Sequence, residues 1–246
     1  MIPKRIHYCW LSGDPIPENL QKWMETWKKK LPDYEFILWD RQKFDINSVK
    51  WVRDAYIAKK YAYAADYIRQ YAVYTMGGIY MDMDVEVVRP FGELLNRRYM
   101  LGSEIGLNVE AGIFGAEAGC EIMRWCMDWY ETHEFINPDG SCNLFGAPRV
   151  FQAAIESHTA ILVTNEWSED PSYIRILPYD YLTAKSSDTG IVKKTKNTRT
   201  VHHFAGSWLT PSLFDKIKRF IKVSASRILG EKITRWISST FIHNNR

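Results

Sequence analysis

The chain has 246 residues, 46% hydrophobic and 25% charged, with a formal net charge of +3, which is material for one sizeable core or for one domain with an appendage. Its longest apolar runs fall far short of the roughly 18 to 20 residues that cross a bilayer, and the start, MIPKRIHYCW, lacks the apolar stretch of a signal peptide, so a soluble cytoplasmic enzyme is expected. Cys9, Cys120, Cys126 and Cys142 include no C-x-x-C pair and no repeating spacing, which argues against both a zinc cage and a disulfide framework.

KRIHYCW reads as a short strand, ended by the turn-forming SGDPIP. Leu20, Trp23, Met24, Trp27 and Leu31 then recur at helical steps, and YEFILW is a second strand. Strand, helix and strand in this order predict a parallel sheet covered by helices, with a ligand beyond the carboxyl ends of the strands, where residues 10–14 would lie. One long helix is predicted from about residue 54 to 76, with Tyr61, Ala65, Ile68 and Ala72 on one stripe and Gly77-Gly78 as its stop. In IYMDMDVEV, residues 79–87, apolar side chains alternate with Tyr80, Asp82, Asp84 and Glu86, which predicts one half-buried strand with three acids on one face.

Arg89-Pro90 ends that strand. Short strands, glycine-rich turns and a helix near residues 120–131 are expected next. Residues 135–146, rich in Asn, Pro, Asp, Gly and Ser, read as a long loop of the kind that covers an active site. A second helix near 149–158 and a strand around 174–177 follow. From Pro211 onward, Leu213, Phe214, Ile217, Phe220 and Ile221 recur at helical spacing among Lys216, Lys218, Arg219 and Lys222, and a second such segment follows around Trp236. The last 36 residues hold eight Lys or Arg against Asp215 and Glu231, so the division expected is a domain at 1–210 and a basic amphipathic tail at 211–246.

Residues two apart on a strand share a face, so Asp82 and Asp84 can together hold a divalent cation, with substrate phosphates completing its shell. A bare D-x-D is more often an acidic edge that discourages strand pairing. Here the long helix, the GG turn and the apolar opposite face favour a site. Asp66 and Arg69, three apart on a helix, form either a solvated ion pair or a cooperating functional pair. Of His202 and His203, neighbours on a strand, only one can face the acids.

YAADYIRQYAVYTMGGIYMDMDVEVVRPF resembles the signature of glycosyltransferase family 32, which includes bacterial capsule and exopolysaccharide enzymes and relatives of fungal outer-chain mannosyltransferases. IPKRIHYCWLSGDPIPE with LPDYEFILWD resembles the family's opening, INPDGSCNL its middle loop and VHHFAGSWL its close, so the resemblance runs from about residue 1 to 210. It implies an α/β fold of GT-A type, a Rossmann-like mixed sheet flanked by helices, with a nucleotide-sugar donor, Mn2+ or Mg2+ as cofactor, and transfer with retention.

The resemblance further implies that Asp82, Asp84 and His202, ahead of His203, are metal ligands, and that Asp82 also contacts the donor. Asp66 would accept from the donor's hydroxyls, Arg69 would donate to it, and Ser207 and Trp208 would close over the diphosphate. His7, Tyr8 and Trp10 stand on the strand that holds the nucleotide base in such enzymes, with Trp10 the favoured stacking partner. Glu86 is either a group behind the metal ligands or an exposed acid past them. The chain departs from the family where Ala65 replaces a common Ser, at Leu182 to Ala184, and at Glu110-Ala111-Gly112, where an Asn is usual; Asn108 is the candidate to replace it through a shifted register.

The expected function is a retaining, metal-dependent transfer of a hexose, UDP-linked in preference to GDP-mannose, to a lipid-linked glycan acceptor in capsule or exopolysaccharide synthesis. The tail would reach the inner face of an anionic membrane or pack on the domain. A haloacid-dehalogenase-type phosphatase fits less well, because its motif has Thr or Val where Glu86 stands. A carbohydrate- or nucleotide-sugar-binding protein without transfer would not need all of Asp66, Arg69, Asp82, Asp84 and His202. Nucleic acid is not expected as a partner, since the basic residues cluster in the tail.

Overall fold

The computed structural model describes residues 1–105, 109–168 and 170–205. The chain opens with β1 (Arg5–Cys9), α1 (Glu18–Lys30) and β2 (Glu35–Trp39). β1 and β2 pair in parallel from Arg5 opposite Glu35 to Cys9 opposite Trp39, as strand, helix and strand predict. In α1, Leu20 and Trp27 are buried, and Lys28, Lys29 and Lys30 occupy the last turn, where the helix dipole favours positive charge.

The predicted long helix is two helices, α2 (Lys50–Ile57) and α3 (Tyr61–Met76). Between them Lys59 has φ +58°, its N–H reaches the Tyr56 carbonyl at 2.9 Å, and the Lys60 N–H reaches Ala55 at 2.8 Å. That bond pattern is a Schellman cap, in which the left-handed residue is usually glycine. With lysine there, the sequence carries no visible stop. α3 ends at Gly77, φ +62°, where a Cβ would lie 2.8 Å from the Ala118 amide nitrogen, so the predicted glycine stop has both a conformational and a steric cause.

The acidic stretch is likewise divided. β3 (Gly78–Met81) ends before Asp82, and β4 (Val85–Val87) belongs to a different sheet. A turn closed by Val85 N–H to the Asp82 carbonyl, 3.0 Å, separates them. The remaining elements are β5 (Tyr99–Met100), β6 (Ile113–Ala116), α4 (Glu121–Thr132), α5 (Ala147–Glu156), β7 (Ala160–Val163), β8 (Tyr173–Ile176), α6 (Tyr179–Leu182) and β9 (Thr200–His202).

Among the described residues the main sheet has the order β2-β1-β3-β6-β5, parallel across its first three strands and antiparallel beyond. Alternation along the strands feeds two cores. Ile6, Ile79, Met81 and Ile113 pack with Leu20 and Trp27 of α1 and with Leu31 just past it on one face, whereas Tyr80, Phe114 and Ala116 pack against α2 to α5 on the other. Buried Ile122, Met123, Cys126 and Tyr130 of α4, and Val150, Phe151, Ala154 and Ile155 of α5, form the helical stripes that close this second core. β4 and β9 form a separate antiparallel pair, and β7 and β8 a parallel one. No helix among the described residues is long and apolar enough to cross a membrane.

Lys59 is exposed and holds a conformation unfavourable for an L-residue. Lys59→Gly is therefore expected to stabilise the chain by about 0.5 to 1 kcal/mol, after glycine's greater unfolded-state entropy is set against the relieved strain. Thermal denaturation should show a rise of about 1 to 4 °C.

Candidate active site

α3 and β3 form a helix hairpinned onto a strand, and their dimensions place the functional residues at one level. Asp66 lies ten residues before the end of α3, about 15 Å back at about 1.5 Å per residue. Asp82 lies four residues past Gly78, about 13 Å along a strand that returns over the same distance. Asp66, Arg69 and Asp82 thus meet at the carboxyl end of the parallel strands, where an α/β sheet presents its ligand site.

Arg69 organises this first group. Its Nη2 lies 2.8 Å from Asp66 Oδ1 and 3.7 Å from Asp82 Oδ1, and its Nη1 donates to the Ala111 carbonyl at 2.9 Å. The guanidinium lies over the Tyr80 ring, 4.8 Å from its centroid, and the Tyr80 hydroxyl donates to Asp82 Oδ1 at 2.7 Å. The backbone N–H of Ala147, in the first turn of α5, also donates to Asp66. Burial nevertheless dominates at Asp66 and pushes its carboxyl up to about 6, with Arg69 opposing and Asp82 adding to the rise. Burial raises Asp82 as well, Arg69 pulls it back and Asp84 raises it further. With 31% of its side chain exposed, Asp82 forms the open lip of the site.

The second group comes from the β4–β9 pair. Val85 lies opposite His202 in that ladder, which seats His202 beside Asp84. His202 Nε2 is 3.3 Å from Asp84 Oδ1 and 3.9 Å from Asp82 Oδ2, and its Nδ1 is 3.0 Å from Glu110 Oε1. Asp84 also accepts the Ala205 N–H at 2.6 Å. Burial alone would raise the Asp84 carboxyl, but His202 and the Ala205 N–H outweigh it and hold the group down at about 2. Burial alone would lower His202; Glu110 and Asp84 overcome it and hold the ring well above the usual histidine range.

Asp82, Asp84 and His202 each offer a ligand atom within 4.8 Å of the others. A six-coordinate cation with bonds of about 2.1 Å brings adjacent ligand atoms to about 3 Å, so only small side-chain movements separate this arrangement from a coordination shell. Two carboxylates and one imidazole suit a divalent cation that takes oxygen and nitrogen ligands better than a thiolate-seeking metal. The space is kept by Gly112, at which a Cβ would lie 2.4 Å from His202 Cε1 and 2.9 Å from Asp82 Oδ2.

The remaining predicted residues divide. His203 does not face the acids: its ring stacks on Trp23, centroids 3.7 Å apart, and its Nε2 meets Glu86 at 3.0 Å. Glu86, also paired with Lys194 at 3.0 Å, points toward that cluster, since the turn at 82–84 breaks the common face expected of the three acids. His7 is not at the site either. It is fully buried, its Nδ1 accepts from Trp39 Nε1 at 3.0 Å and its Nε2 donates to the Gly77 carbonyl at 2.9 Å, so it ties β1 and β2 to the α3–β3 turn. Tyr8 packs its ring edge-on against Trp27. Trp10 stands just past β1 on the ligand side, half-buried, its indole N–H bonded to the Asp14 carbonyl at 2.6 Å. Ser207, Trp208, Asn108 and the tail at 211–246 lie outside the described residues.

Sequence reasoning missed Glu110, Tyr80 and Thr183. Tyr80 alternates in step with Asp82, a local signal that was available. Glu110 is 92 positions from His202 and only the fold joins them.

The sheet order and flanking helices define a GT-A architecture. The same fold is found in a solved structure described as PaToxG glycosyltransferase, with a TM-score of 0.51 at 20% identity, covering 63% of this chain and 69% of that one. Residues 17–101 match the model of a family described as glycosyltransferase sugar-binding region containing DXD motif. Inositol phosphoceramide mannosyltransferase 3 of Schizosaccharomyces pombe is 35% identical over 102 residues, which is 39% of this chain and 28% of that protein. Initiation-specific alpha-1,6-mannosyltransferase of Candida albicans is 28% identical over 138 residues, 52% of this chain and 35% of the relative. The chain thus spans 28% and 35% of the length of these two curated relatives. An uncharacterized glycosyltransferase of Acanthamoeba polyphaga mimivirus is 24% identical over 176 residues, 68% of this chain and 70% of that one.

The raised value of Asp66 has a thermodynamic signature. An acid that titrates at about 6 folded and at 3.8 unfolded binds its proton more tightly in the native state. Asp66 therefore subtracts stability as pH rises from about 4 to about 6, by on the order of 3 kcal/mol, and the deficit persists above. Asp66→Asn should melt higher than the wild type at pH 7, with the difference shrinking toward zero near pH 4 in thermal melts across that range.

Proposed function

We propose that this chain is a metal-dependent glycosyltransferase that moves a hexose from a nucleotide-sugar to a glycan acceptor with retention at the anomeric carbon. The observation that carries this reading is the convergence of Asp82, Asp84 and His202 beside the Asp66–Arg69 pair at the ligand end of a GT-A sheet. Asp82, Asp84 and His202 would hold the cation, which when bound supplies positive charge to the departing diphosphate. Asp66 accepts from hydroxyls of the donor sugar. Arg69 holds Asp66 and Asp82 in register with each other and balances their charge. Trp10, at the end of β1, lies on the side where the base would stack, and Ser207 and Trp208 are proposed to donate to the diphosphate.

No residue of the described site stands out as a covalent nucleophile, and the Asp66 carboxylate is engaged by Arg69 and by the Ala147 N–H. A direct retaining displacement is accordingly proposed. The acceptor oxygen bonds to the anomeric carbon on the face from which the diphosphate leaves, the bond from that carbon to the leaving oxygen breaks, and the acceptor's proton passes to a diphosphate oxygen. The residues are then asked for positioning and electrostatics rather than covalent chemistry.

The two fungal relatives are named mannosyltransferases, one of them for a phosphoceramide acceptor. These names support a lipid-linked acceptor and put GDP-mannose into the donor screen beside the UDP-hexoses that the sequence favours. Capsule or exopolysaccharide synthesis, on the inner face of the cell membrane, is the proposed setting.

Thermal-shift measurements of the full chain with UDP-glucose, UDP-galactose and GDP-mannose, each with and without Mn2+, should show a donor whose stabilisation depends on the metal. Nucleotide release from that donor should fall on the order of 100-fold or more in Asp84→Asn, with a cooperative melt retained at a lower temperature, because the low-titrating Asp84 carboxylate contributes stability at neutral pH. A donor shift without nucleotide release from the wild type would make the chain a nucleotide-sugar-binding protein instead. Separately, residues 211–246 should sediment the chain with anionic liposomes at low salt, each Lys or Arg near the surface contributing about 1 kcal/mol, and high salt should release it. Equal sedimentation with neutral liposomes would exclude the electrostatic attachment.

A further inference from the structure

We infer that Glu110 is the positioning residue that aims His202 at the cation, and that Glu110, Gly112 and Thr183 form one support for this ring. The inference rests on the metal-dependent reading above.

A fully buried carboxylate is unfavourable unless donors surround it, and Glu110 has them on both oxygens. The Gly112 N–H donates to Oε1 at 2.7 Å, the Thr183 hydroxyl lies 2.9 Å from Oε2, and His202 Nδ1 lies 3.0 and 3.2 Å from the two oxygens. An N–H held on Nδ1 leaves Nε2 as the atom turned toward Asp84 and Asp82, which is the form a cation requires. A carboxylate in this place does more than a carbonyl would, because its charge also makes the opposite nitrogen a better ligand.

The two supporting residues each hold both sides of the arrangement. Gly112 donates its N–H to Glu110, accepts the Asp82 N–H on its carbonyl at 2.7 Å, and leaves by its missing Cβ the space that His202 fills. Thr183 puts its hydroxyl on Glu110 while its carbonyl accepts the His202 N–H at 2.9 Å. Glu110, Gly112 and Thr183 lie in the two stretches, 110–112 and 182–184, at which the sequence departs from the family pattern, and the fold brings both to the same ring. A simple buried ion pair would need Glu110 and His202 alone. Here the carboxyl groups of Asp66, Asp82, Asp84 and Glu110 face Arg69 and His202, and since His202 is neutral as a ligand, a divalent cation supplies the positive charge that the ring then does not.

The test is Mn2+ binding by the full chain without nucleotide, read from the free-Mn2+ electron paramagnetic resonance signal. Glu110→Ala should weaken the dissociation constant 10- to 100-fold, the range typical of groups that orient a ligand. Glu110→Gln should weaken it less, since an amide can keep an oxygen for Gly112 and His202 and can donate to Thr183, whose hydroxyl has the Ser103 carbonyl as its own acceptor at 3.1 Å. Glu86→Gln, which alters the neighbouring His203 cluster, should leave the constant unchanged. Wild-type affinity in Glu110→Gln and in folded Glu110→Ala would overturn the role of Glu110 while leaving the metal reading intact; if Glu110→Ala fails to fold, Glu110→Gln decides alone. A wild-type chain that binds no Mn2+ would overturn the metal reading, and this inference with it.

Discussion

Asp66, Asp82, Asp84 and Glu110 bring four carboxyl groups into one small volume at the carboxyl end of the sheet, and like charges that close repel strongly in a partly desolvated setting. The surrounding structure is organised to tolerate this. Arg69 is placed between Asp66 and Asp82, and His202 between Asp84 and Glu110, so each cationic group separates two acids. The opposing responses of Asp66, pushed up to about 6, and Asp84, held down at about 2, measure how unevenly the relief is shared. Asp84 has a close imidazole and a backbone N–H; Asp66 is more deeply enclosed. Residual repulsion of this kind is what a cation-dependent site would retain, because a site already neutral gains little from the ion.

The turn at 82–84 is the joint on which the arrangement depends. Asp82 remains tied to the main sheet through its N–H to the Gly112 carbonyl, whereas Asp84 is tied to β9 through its carbonyl to the His203 N–H at 3.0 Å. Two residues apart in sequence, the acids are thus anchored to two different sheets. Trp27 of α1 spans the junction, its indole N–H bonded to the Val85 carbonyl at 2.6 Å, and locks the start of β4 against the helix layer. Movement of the β4–β9 pair relative to the main sheet would change the separation of Asp82 from both Asp84 and His202. The site is therefore rigid only as far as this junction is.

Much of this was legible locally, and what was not has identifiable causes. Asp82, Asp84, Asp66 and Arg69 could be singled out because short spacings on regular elements fix their mutual placement. The division of 79–87 was hidden because the turn keeps the alternation: Met83 stays buried between the two aspartates, 7% exposed, as it would on an unbroken strand. The break between α2 and α3 was hidden because lysine occupies the left-handed cap position. His7 was misassigned for a different reason. An aromatic-rich first strand looks the same whether its ring faces a base or a neighbour, and only Trp39 on β2 and the Gly77 carbonyl reveal the latter. β5, at two residues, is too short to leave a periodic trace.

Gly112 shows how one missing side chain sets the placement of residues distant in sequence. A side chain at this position and His202 in its present place exclude each other, since the Cβ would fall inside the imidazole's van der Waals envelope. Any larger residue here would require the histidine to sit elsewhere or the strand that bears it to move. Conversely, once residue 112 is glycine, the vacated space must be filled by something that also meets the buried polar groups around it. His202 does this, but a ring placed there would have a nitrogen facing the interior without a partner. Glu110 supplies that partner, and Thr183 satisfies the carboxylate in turn. Glycine at 112 is thus accompanied by a polar chain reaching from β9 to Thr183, just past α6, which joins residues far apart in sequence.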